Sequence, residues 1–349
     1  MIDPATRARR ELGAVGIAAA VTVGLLFLWF ARDVLLLAFA GVLLAVLFRR
    51  LAIWLSAHTP LSNAWALALV VAALFGSLVG VFVLRGPSIA AEMRTFQEQI
   101  PKAAESMKGR LAEYEWGQRA IDAAPNPRAL LPDSPAVLSR ATGIVSRTVS
   151  ALGSFAIIVF LGIVLAATPG VYASGLLALV PAGAVARGRE VITRVYDTLW
   201  WWLLGRILSM TFLGVVTGIG LWLLGVPLVF PLALLAALLS FIPNLGPILS
   251  AAPAVLLAFA NDPRQALWVA LLYSGVQIVE SFVLAPIIDR KTIYLPPALT
   301  IVAQLVLALF AGIMGVALAT PLTAAFVVLV TMLYVQDVLG RRDIELPAR

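Results

Sequence analysis

Residues 226–260 read VPLVFPLALLAALLSFIPNLGPILSAAPAVLLAFA. Two apolar runs, 228–242 and 248–260, flank the segment Pro243-Asn244-Leu245-Gly246-Pro247. Each run is shorter than the roughly 20 residues that a helix needs to cross the hydrocarbon core of a bilayer. The two prolines remove backbone donors, and the glycine permits a tight turn. The pattern predicts a helical hairpin that dips into a membrane and turns on irregular backbone.

The tip of this hairpin is the first candidate site. Irregular backbone is tolerated at membrane depth only where protein or a water-filled cavity shields it, because lipid supplies no hydrogen bonds. The tip therefore marks the place where a polar path would run. Asn244 and the free backbone groups around Leu245, Gly246 and Pro247 are candidates for binding a polar solute or a small cation, with Pro243 as a hinge.

The composition of the chain is that of an all-α polytopic membrane protein. Of its 349 residues 62% are hydrophobic and 12% charged, with a mean hydropathy of +1.00, whereas soluble domains are about 45–50% apolar and about 25% charged. The net charge is +7, but the basic residues flank apolar runs, which indicates membrane topology rather than nucleic-acid binding. With no cysteine and one histidine, a disulfide framework and a Cys/His metal site are excluded, and we expect no cofactor.

The first part of the chain, 1–84, carries three apolar runs at 12–31, 34–48 and 64–84. We expect Arg32-Asp33 to form a short outer turn between the first two runs. The positive-inside rule then predicts a cytoplasmic N-terminus and places Arg49-Arg50 on the same side.

The second part, 85–150, is the one long polar segment. Arg85-Gly86-Pro87 is expected to end the third span. A heptad-like stripe of apolar residues follows, which predicts amphipathic helices that pack on each other or on a neighbouring subunit; a gate over the path is the alternative. The stripe comprises Ile89, Met93, Phe96, Ile100, Met107, Leu111 and Tyr114, and Pro125, Pro127, Pro132 and Pro135 predict a loop after it. Topology predicts that this part lies on the trans face.

The third part, 151–340, is predicted to be the membrane core. Pro169-Gly170 is expected to kink the fourth run, residues 183–198 to lie along the inner surface, and Trp200-Trp201-Trp202 to sit in an interfacial aromatic belt. After spans at 199–224 and 265–285, Pro286 begins a cytoplasmic loop. Residues 297–335 predict a second hairpin or a pair of tightly turned helices, and the tail 341–349 is expected to be cytoplasmic. The second hairpin would turn at Gly312 and Gly315 and pass Pro321, and the loop holds Asp289, Arg290 and Lys291.

Two charged residues are expected inside the membrane, where polar groups are costly and are functional candidates. Arg206 lies roughly 10 Å and Glu280 roughly 8 Å from the inner face at about 1.5 Å per residue. We predict that they pair or share a water-filled vestibule, with separate snorkelling to the surface as the alternative. Glu280 is the natural proton carrier, because desolvation raises the pKa of a carboxyl group.

Two glutamines extend this set. Gln277 lies one turn before Glu280 on the same helix face, and Gln304 lies in the predicted second hairpin. Either could contact a solute or cation, and hydrogen bonding between helices is the equally weighted alternative. Gly312 and Gly315 are expected to allow close helix approach.

A set of motifs across about 200–335 resembles the signature of the autoinducer-2 exporter family of bacterial permeases. The motifs are FIPNLGPIL at 241–249, APAV at 252–255, QIVE at 277–280, LPP at 295–297, LFAG at 309–312 and ATPL at 319–322, with Leu284, Pro286, Ile287 and Gly315 between them. Ser281, Asp289 and Pro297 depart from the residues common in that family. Together the pieces are specific, although no single piece is.

The resemblance implies a multi-pass permease of the bacterial inner membrane with about eight membrane segments. It also implies a homo-oligomer, with a pentamer as the working expectation. The expected partners are the lipid bilayer, a small polar solute such as autoinducer-2, and H⁺ or Na⁺. The alternatives are a sodium/proton antiporter, a channel and a non-transporting scaffold that works through the polar segment. An enzyme is disfavoured, because the single histidine lies outside the predicted spans and no His-Glu-x-x-His or Gly-Asp motif is present.

Overall fold

The computed structural model describes residues 4–112, 118, 137–284, 286, 295–341 and 343, and these are helical without a strand. Nine α-helices cover most of these residues, and two of them continue into π-helical turns. They are α1 (Pro4–His58), α2 (Asn63–Leu111), α3 (Val137–Ala167), α4 (Pro169–Ala178), α5 (Val185–Leu223), α6 (Val229–Leu239), α7 (Leu245–Asn261), α8 (Pro263–Val279) and α9 (Pro297–Leu329); the π turns are Glu280–Leu284 and Val330–Val338.

Several of these helices have the length and apolarity of membrane spans. Within the described residues five helices qualify, or six if α3 and α4 are counted as one bent span. Shorter apolar helices, α6 and α7, add to the membrane-like part. The all-α polytopic prediction is confirmed, while the number of about eight segments stays a prediction.

Helix α1 corrects the predicted N-terminal topology. It is one helix of 55 residues, so the turn expected at Arg32-Asp33 is wrong. The two charges are accommodated inside the helix because Arg32 pairs with Asp33 at 3.8 Å and its guanidinium lies 4.7 Å from the centre of the Trp29 ring. The predicted cytoplasmic position of the N-terminus depended on that turn and loses this support.

Helix α2 corrects the boundary between the first two predicted parts. It runs for 49 residues through Pro87 and Pro101, so Arg85-Gly86-Pro87 does not end the helix. The apolar stripe packs inside the chain: Phe96, Ile100 and the buried Ala103 join the cluster formed by α5, α6, α7 and α8. The stripe thus covers one end of the first hairpin.

Around the fourth run the prediction holds in part. Helices α3 and α4 meet at an angle of 84° beside Thr168, which confirms the kink at Pro169-Gly170. Residues 185–198, however, form no separate surface segment, because they are the first turns of the 39-residue helix α5. The aromatic-belt prediction is also wrong, because Trp200 and Trp202 are buried in a cluster with α1 and α9.

The first hairpin, α6 and α7, forms as predicted. Its two outer ends meet, since Gln265 at the start of α8 donates from Nε2 to the carbonyl oxygen of Leu224 at 2.8 Å. Its inner ends also meet: a Cβ on Gly246 would overlap the carbonyl oxygen of Leu239. The arms therefore run antiparallel, and both open at the Leu224 end of α5.

The second hairpin lies within α9 and its π turn. Helical geometry fails at Ala311 and Gly312, where Gly312 has φ 58° and ψ −140°. A Cβ on Gly315 would overlap the carbonyl oxygen of Leu307, and Leu295 packs against the cluster of Val191, Val328 and Met332. Both pairings are symmetric about Ala311–Gly312, so the arms 297–310 and 313–338 are antiparallel. Since Val191 lies in the first turns of α5, this hairpin opens at the Arg187 end.

Arg49-Arg50 and the basic cluster at Arg187, which were predicted to share one side, lie at this same Arg187 end of the bundle, whereas the N-terminal arginines lie at the far end of the 55-residue helix α1. Arg50 pairs with Asp197 at 3.9 Å and lies 5.8 Å from the centre of the Trp200 ring, and Arg187 bonds to Asp337. The face of the membrane to which this end corresponds stays a prediction. Some of the residues named in the predictions lie outside the described part of the chain; they are Pro125, Pro127, Pro132, Pro135, Asp289, Arg290, Lys291 and residues 344–349.

Candidate functional site

The tip of the first hairpin is five residues of irregular backbone, 240–244, between α6 and α7. Asn244 has φ 67° and ψ −42°, an unusual conformation for a residue with a side chain. The tip closes on itself through bonds from Leu245 N–H to Pro243 O at 2.8 Å and from Gly246 N–H to Ile242 O at 3.0 Å. Asn244 and Leu245 are exposed, whereas Gly246 is buried.

Two of the predicted site residues donate to carbonyl oxygens of this tip. Nη1 of Arg206, midway along α5, lies 3.1 Å from the carbonyl oxygen of Ser240. Nε2 of Gln304, in the first arm of the second hairpin, lies 3.1 Å from the carbonyl oxygen of Pro243. Gln304 and Ser240 are almost completely buried, with 3% and 1% of their surface exposed. The guanidinium group of Arg206 thus places a positive charge beside the carbonyl groups at the C-terminal end of α6, where the helix dipole is negative.

The turns of the two hairpins lie close together. Phe241 of the first tip packs in the cluster that also contains Ala311 and Met314 of the second turn. Its ring makes an edge contact with Trp202, with ring centres 5.7 Å apart. The tip of the first hairpin therefore lies beside the second hairpin near the middle of α5, and the two hairpins open at opposite ends of the bundle.

Glu280 and Gln277 form a second polar group at the end of α8. Gln277 Nε2 lies 3.2 Å from Glu280 Oε2 and 3.3 Å from Ser281 Oγ. Glu280 has 9% of its surface exposed, and it begins a π-helical turn of five residues. The amide oxygen of Gln277 is buried without a hydrogen-bond partner. The Glu280 carboxyl group and the Gln277 amide oxygen therefore place two buried acceptor groups on adjacent turns of one helix.

Arg206 and Glu280 lie on elements that contact each other, yet the ion pairs within 4.0 Å among the described residues do not join them. The contact between Gly220 and Leu272 sets the register of the antiparallel helices α5 and α8. Counting from it, Glu280 is level with residue 212, roughly 9 Å from Arg206 along the axis at about 1.5 Å per residue. Direct pairing is absent here, and the shared vestibule stays a prediction.

The other predicted residues fall in different environments. Gly312 and Gly315 lie at the second turn. Pro321 is fully buried inside a continuous stretch of α9, so the hinge role of Pro321 stays a prediction. Pro286 is exposed next to residues outside the described part. Pro247 occupies the first turn of α7, where its missing N–H costs little.

Sequence reasoning missed three features near the site. Ser240 was missed because its carbonyl group, rather than its side chain, makes the contact. Trp202 was assigned to the interface. Arg32 and Asp33 were assigned to an outer turn, although Trp29, one turn earlier, packs on Phe310 at the second turn with ring centres 5.4 Å apart. Extending the helical periodicity of the first apolar run through Arg32-Asp33 would have predicted one continuous helix here.

Comparison with known proteins places the chain in a family. Residues 18–334 match the family described as "AI-2E family transporter". In Bacillus subtilis (strain 168), "Putative transport protein YrrI" is 32% identical over 43% of each chain, and "Putative transport protein YueF" is 31% identical over 42% of this chain and 40% of its own. A "Putative transport protein" of Thermotoga maritima is 27% identical over 44% of this chain and 46% of its own.

The matched region spans less than half the length of these relatives. The family match covers nearly the whole chain and includes the motifs around the two hairpins. The long apolar helices of the chain are those of a multi-pass membrane protein. The chain belongs to the AI-2E transporter family.

Proposed function

We propose that this protein is a permease that exports a small polar solute, of which autoinducer-2 is the first candidate, with proton coupling at Glu280. The solute would pass between the two hairpin turns. The observation that carries this proposal is the contact between Gln304 and the carbonyl oxygen of Pro243, because it joins the tip of the first hairpin to an arm of the second, and the two hairpins open at opposite ends. Discontinuous helices that meet in the middle of a bundle are the usual binding sites of secondary transporters.

Three groups have defined roles in this proposal. Gln304 and Arg206 cover the Pro243 and Ser240 carbonyl oxygens while the path is closed, and a solute that carries hydroxyl groups would replace them when it is open. Glu280, buried and hydrogen-bonded to Gln277 of its own helix, would carry the proton. The proposed role of Glu280 is supported by its burial and by the contact of its π turn with α5.

The test uses the full chain reconstituted in liposomes loaded with autoinducer-2, with efflux measured under an imposed proton gradient. We expect saturable efflux. The Gln304→Leu variant should lower the rate at least about tenfold, since about 1.4 kcal/mol corresponds to a factor of ten. The matched control is Gln265→Leu, which also removes a glutamine bond to a backbone carbonyl but does so at the open end of the hairpin, and it should retain efflux.

The Glu280→Gln variant tests the coupling separately. Efflux driven by the solute gradient alone should continue in this variant, while the response to the proton gradient is lost. Equal proton dependence in the variant and the parent would refute the role of Glu280. Sodium-dependent proton movement without autoinducer-2 flux would instead establish the antiporter alternative, and absence of all flux in folded protein would favour the scaffold.

A further inference from the structure

The Arg187 end of the second hairpin carries an unusual structure. Residues Val330–Val338, the last nine of its long arm, are π-helical. The bond from Leu339 N–H to Tyr334 O, five residues back, measures 2.9 Å, and Gly340 with φ 70° ends the segment. π-helical residues are well under about 1% of residues in globular proteins, and they occur mostly as single turns at functional positions.

One guanidinium group holds this segment. Arg187 donates from Nη2 to the carbonyl oxygen of Met332 at 3.1 Å and to Gln336 Oε1 at 2.7 Å. It also donates from Nε to Asp337 Oδ2 at 3.1 Å. A fourth bond, from Nη1 to Glu190 Oε2 at 2.8 Å, stays within α5. Three of the four bonds therefore join α5 to the π turn across about 150 residues of sequence.

The positions of these acceptors depend on the winding of the segment. Hydrogen bonds in a π-helix join residues five apart, which places Met332 and Asp337 on neighbouring parts of one face of the segment. In an α-helix residues five apart are separated by about 140° around the axis, since each residue turns by about 100°. Rewinding the segment to an α-helix would carry Asp337 away from Arg187 while Gln336 stayed nearby. The bonds to Met332 and Asp337 together therefore select the π form.

The segment also has room to move. A cavity of about 260 Å³ lies beside it, between α4, the first turns of α5 and the segment itself, and both Arg187 and Asp337 line it. Leu333 of the π turn forms part of the wall. An apolar space of this size next to a rarely populated helix form leaves volume into which rewound side chains fit.

We propose that Arg187 is a latch that keeps the base of the second hairpin in its π form, and that release of the latch lets the arm rewind to an α-helix. Rewinding lengthens the arm and turns its side chains, so it would shift the second hairpin relative to α5. The device is independent of which solute the protein moves. Arg187 acts here as a positioning residue at the base of the hairpin, far from the turns.

The test measures backbone amide hydrogen exchange in 330–338 with the full chain in lipid nanodiscs. Arg187→Gln should speed exchange in this segment at least tenfold. Glu190→Gln, which removes the charge of the partner inside α5 and leaves the bonds to the segment, should change it less than twofold. Asp337→Asn provides a second variant that removes the charge while preserving shape, and it should also speed exchange.

A second readout follows the cavity wall. The chain has no cysteine, so a single Leu333→Cys reports on this position alone, and its reaction with a maleimide should be several-fold faster when Arg187→Gln is added. Unchanged exchange in both Arg187→Gln and Asp337→Asn, or equal effects of Glu190→Gln, would overturn the latch. Neither readout uses transport, so failure here and failure of the proposed permease function are distinguishable.

Discussion

The two hairpins both turn back beside α5, yet their turns are built differently. The first uses five irregular residues, and two of its carbonyl groups accept bonds from Arg206 and Gln304 on other elements. The second uses two non-helical residues, Ala311 and Gly312. In the part of the chain that the structure describes, no side-chain hydrogen bond reaches these two residues. The first turn is therefore held by polar bonds from other elements, whereas the second combines the backbone geometry of Gly312 with apolar packing of Phe310 and Ala311.

The open ends differ in the opposite sense. The first hairpin is covered by the apolar stripe of α2, while the second is held by polar bonds from Arg187. Apolar packing is insensitive to ionic strength, but partly exposed ion pairs are screened by salt. The second hairpin is therefore held at its base by polar bonds that salt can weaken, and the first hairpin is held by polar bonds at its tip.

The largest effect is expected where each hairpin is narrowest. Gly246→Ala and Gly315→Ala place a Cβ against the carbonyl oxygens of Leu239 and Leu307, so each should destabilise its hairpin by about 3 kcal/mol or more. Thermal unfolding in detergent measures this loss. Gly275→Ala is the matched control, because a Cβ there meets nothing within 4 Å. Equal melting of all three variants would contradict the close approach of the arms.

A smaller effect should separate the two turns. Gly312→Ala forces a side chain into φ 58°, ψ −140°, which costs about 1–3 kcal/mol. Asn244→Gly removes a side chain from a positive φ and should lie within about 0.5 kcal/mol of the parent, because relief of the strained φ offsets the extra freedom of glycine in the unfolded chain. Melting curves of the two variants give the comparison. If Gly312→Ala melted at the same temperature as the parent, the positive φ of Gly312 would not be what fixes the second turn.

Much of the first hairpin could be predicted from sequence, because its signal is local: proline, asparagine and glycine lie between two apolar runs. The second turn was predicted only as a hairpin or a pair of helices, since a two-residue interruption leaves the apolar pattern almost unbroken. The contacts of Arg187 could not be predicted from the sequence, because its partners in the second hairpin lie about 150 residues away. The turn expected at Arg32-Asp33 failed because two adjacent charges can pair with each other and an aromatic ring inside a helix.

Packing of α2 on the first hairpin should have a moderate effect. Ile100→Ala removes a half-buried side chain from the cluster at the open end, and we expect a loss of about 1–2 kcal/mol, less than for a fully buried isoleucine. Thr95→Ala, on an exposed position of the same helix, is the control. Hydrogen exchange should rise in 229–261 but not in 297–338. A uniform rise in both hairpins would show that α2 stabilises the whole bundle.

The smallest effect is expected at the aromatic contact of the first tip. Phe241→Leu keeps an apolar side chain but removes the edge contact with Trp202, which is worth about 0.5–1.5 kcal/mol. Trp202→Phe combined with Phe241→Leu should cost less than the sum of the two single changes. Strict additivity in this double-mutant cycle would indicate that the rings do not interact.

The central claim is that the hairpins open at opposite faces of the membrane, and cysteine labelling tests it most directly. Single cysteines at Asn261, at the open end of the first hairpin, and at Leu339, beyond the base of the second, are both exposed. They are treated with a membrane-impermeant maleimide in right-side-out and inverted vesicles. We predict that each cysteine is labelled in only one vesicle orientation and that the two orientations differ. Labelling of both from the same face would contradict the oppositely opening hairpins.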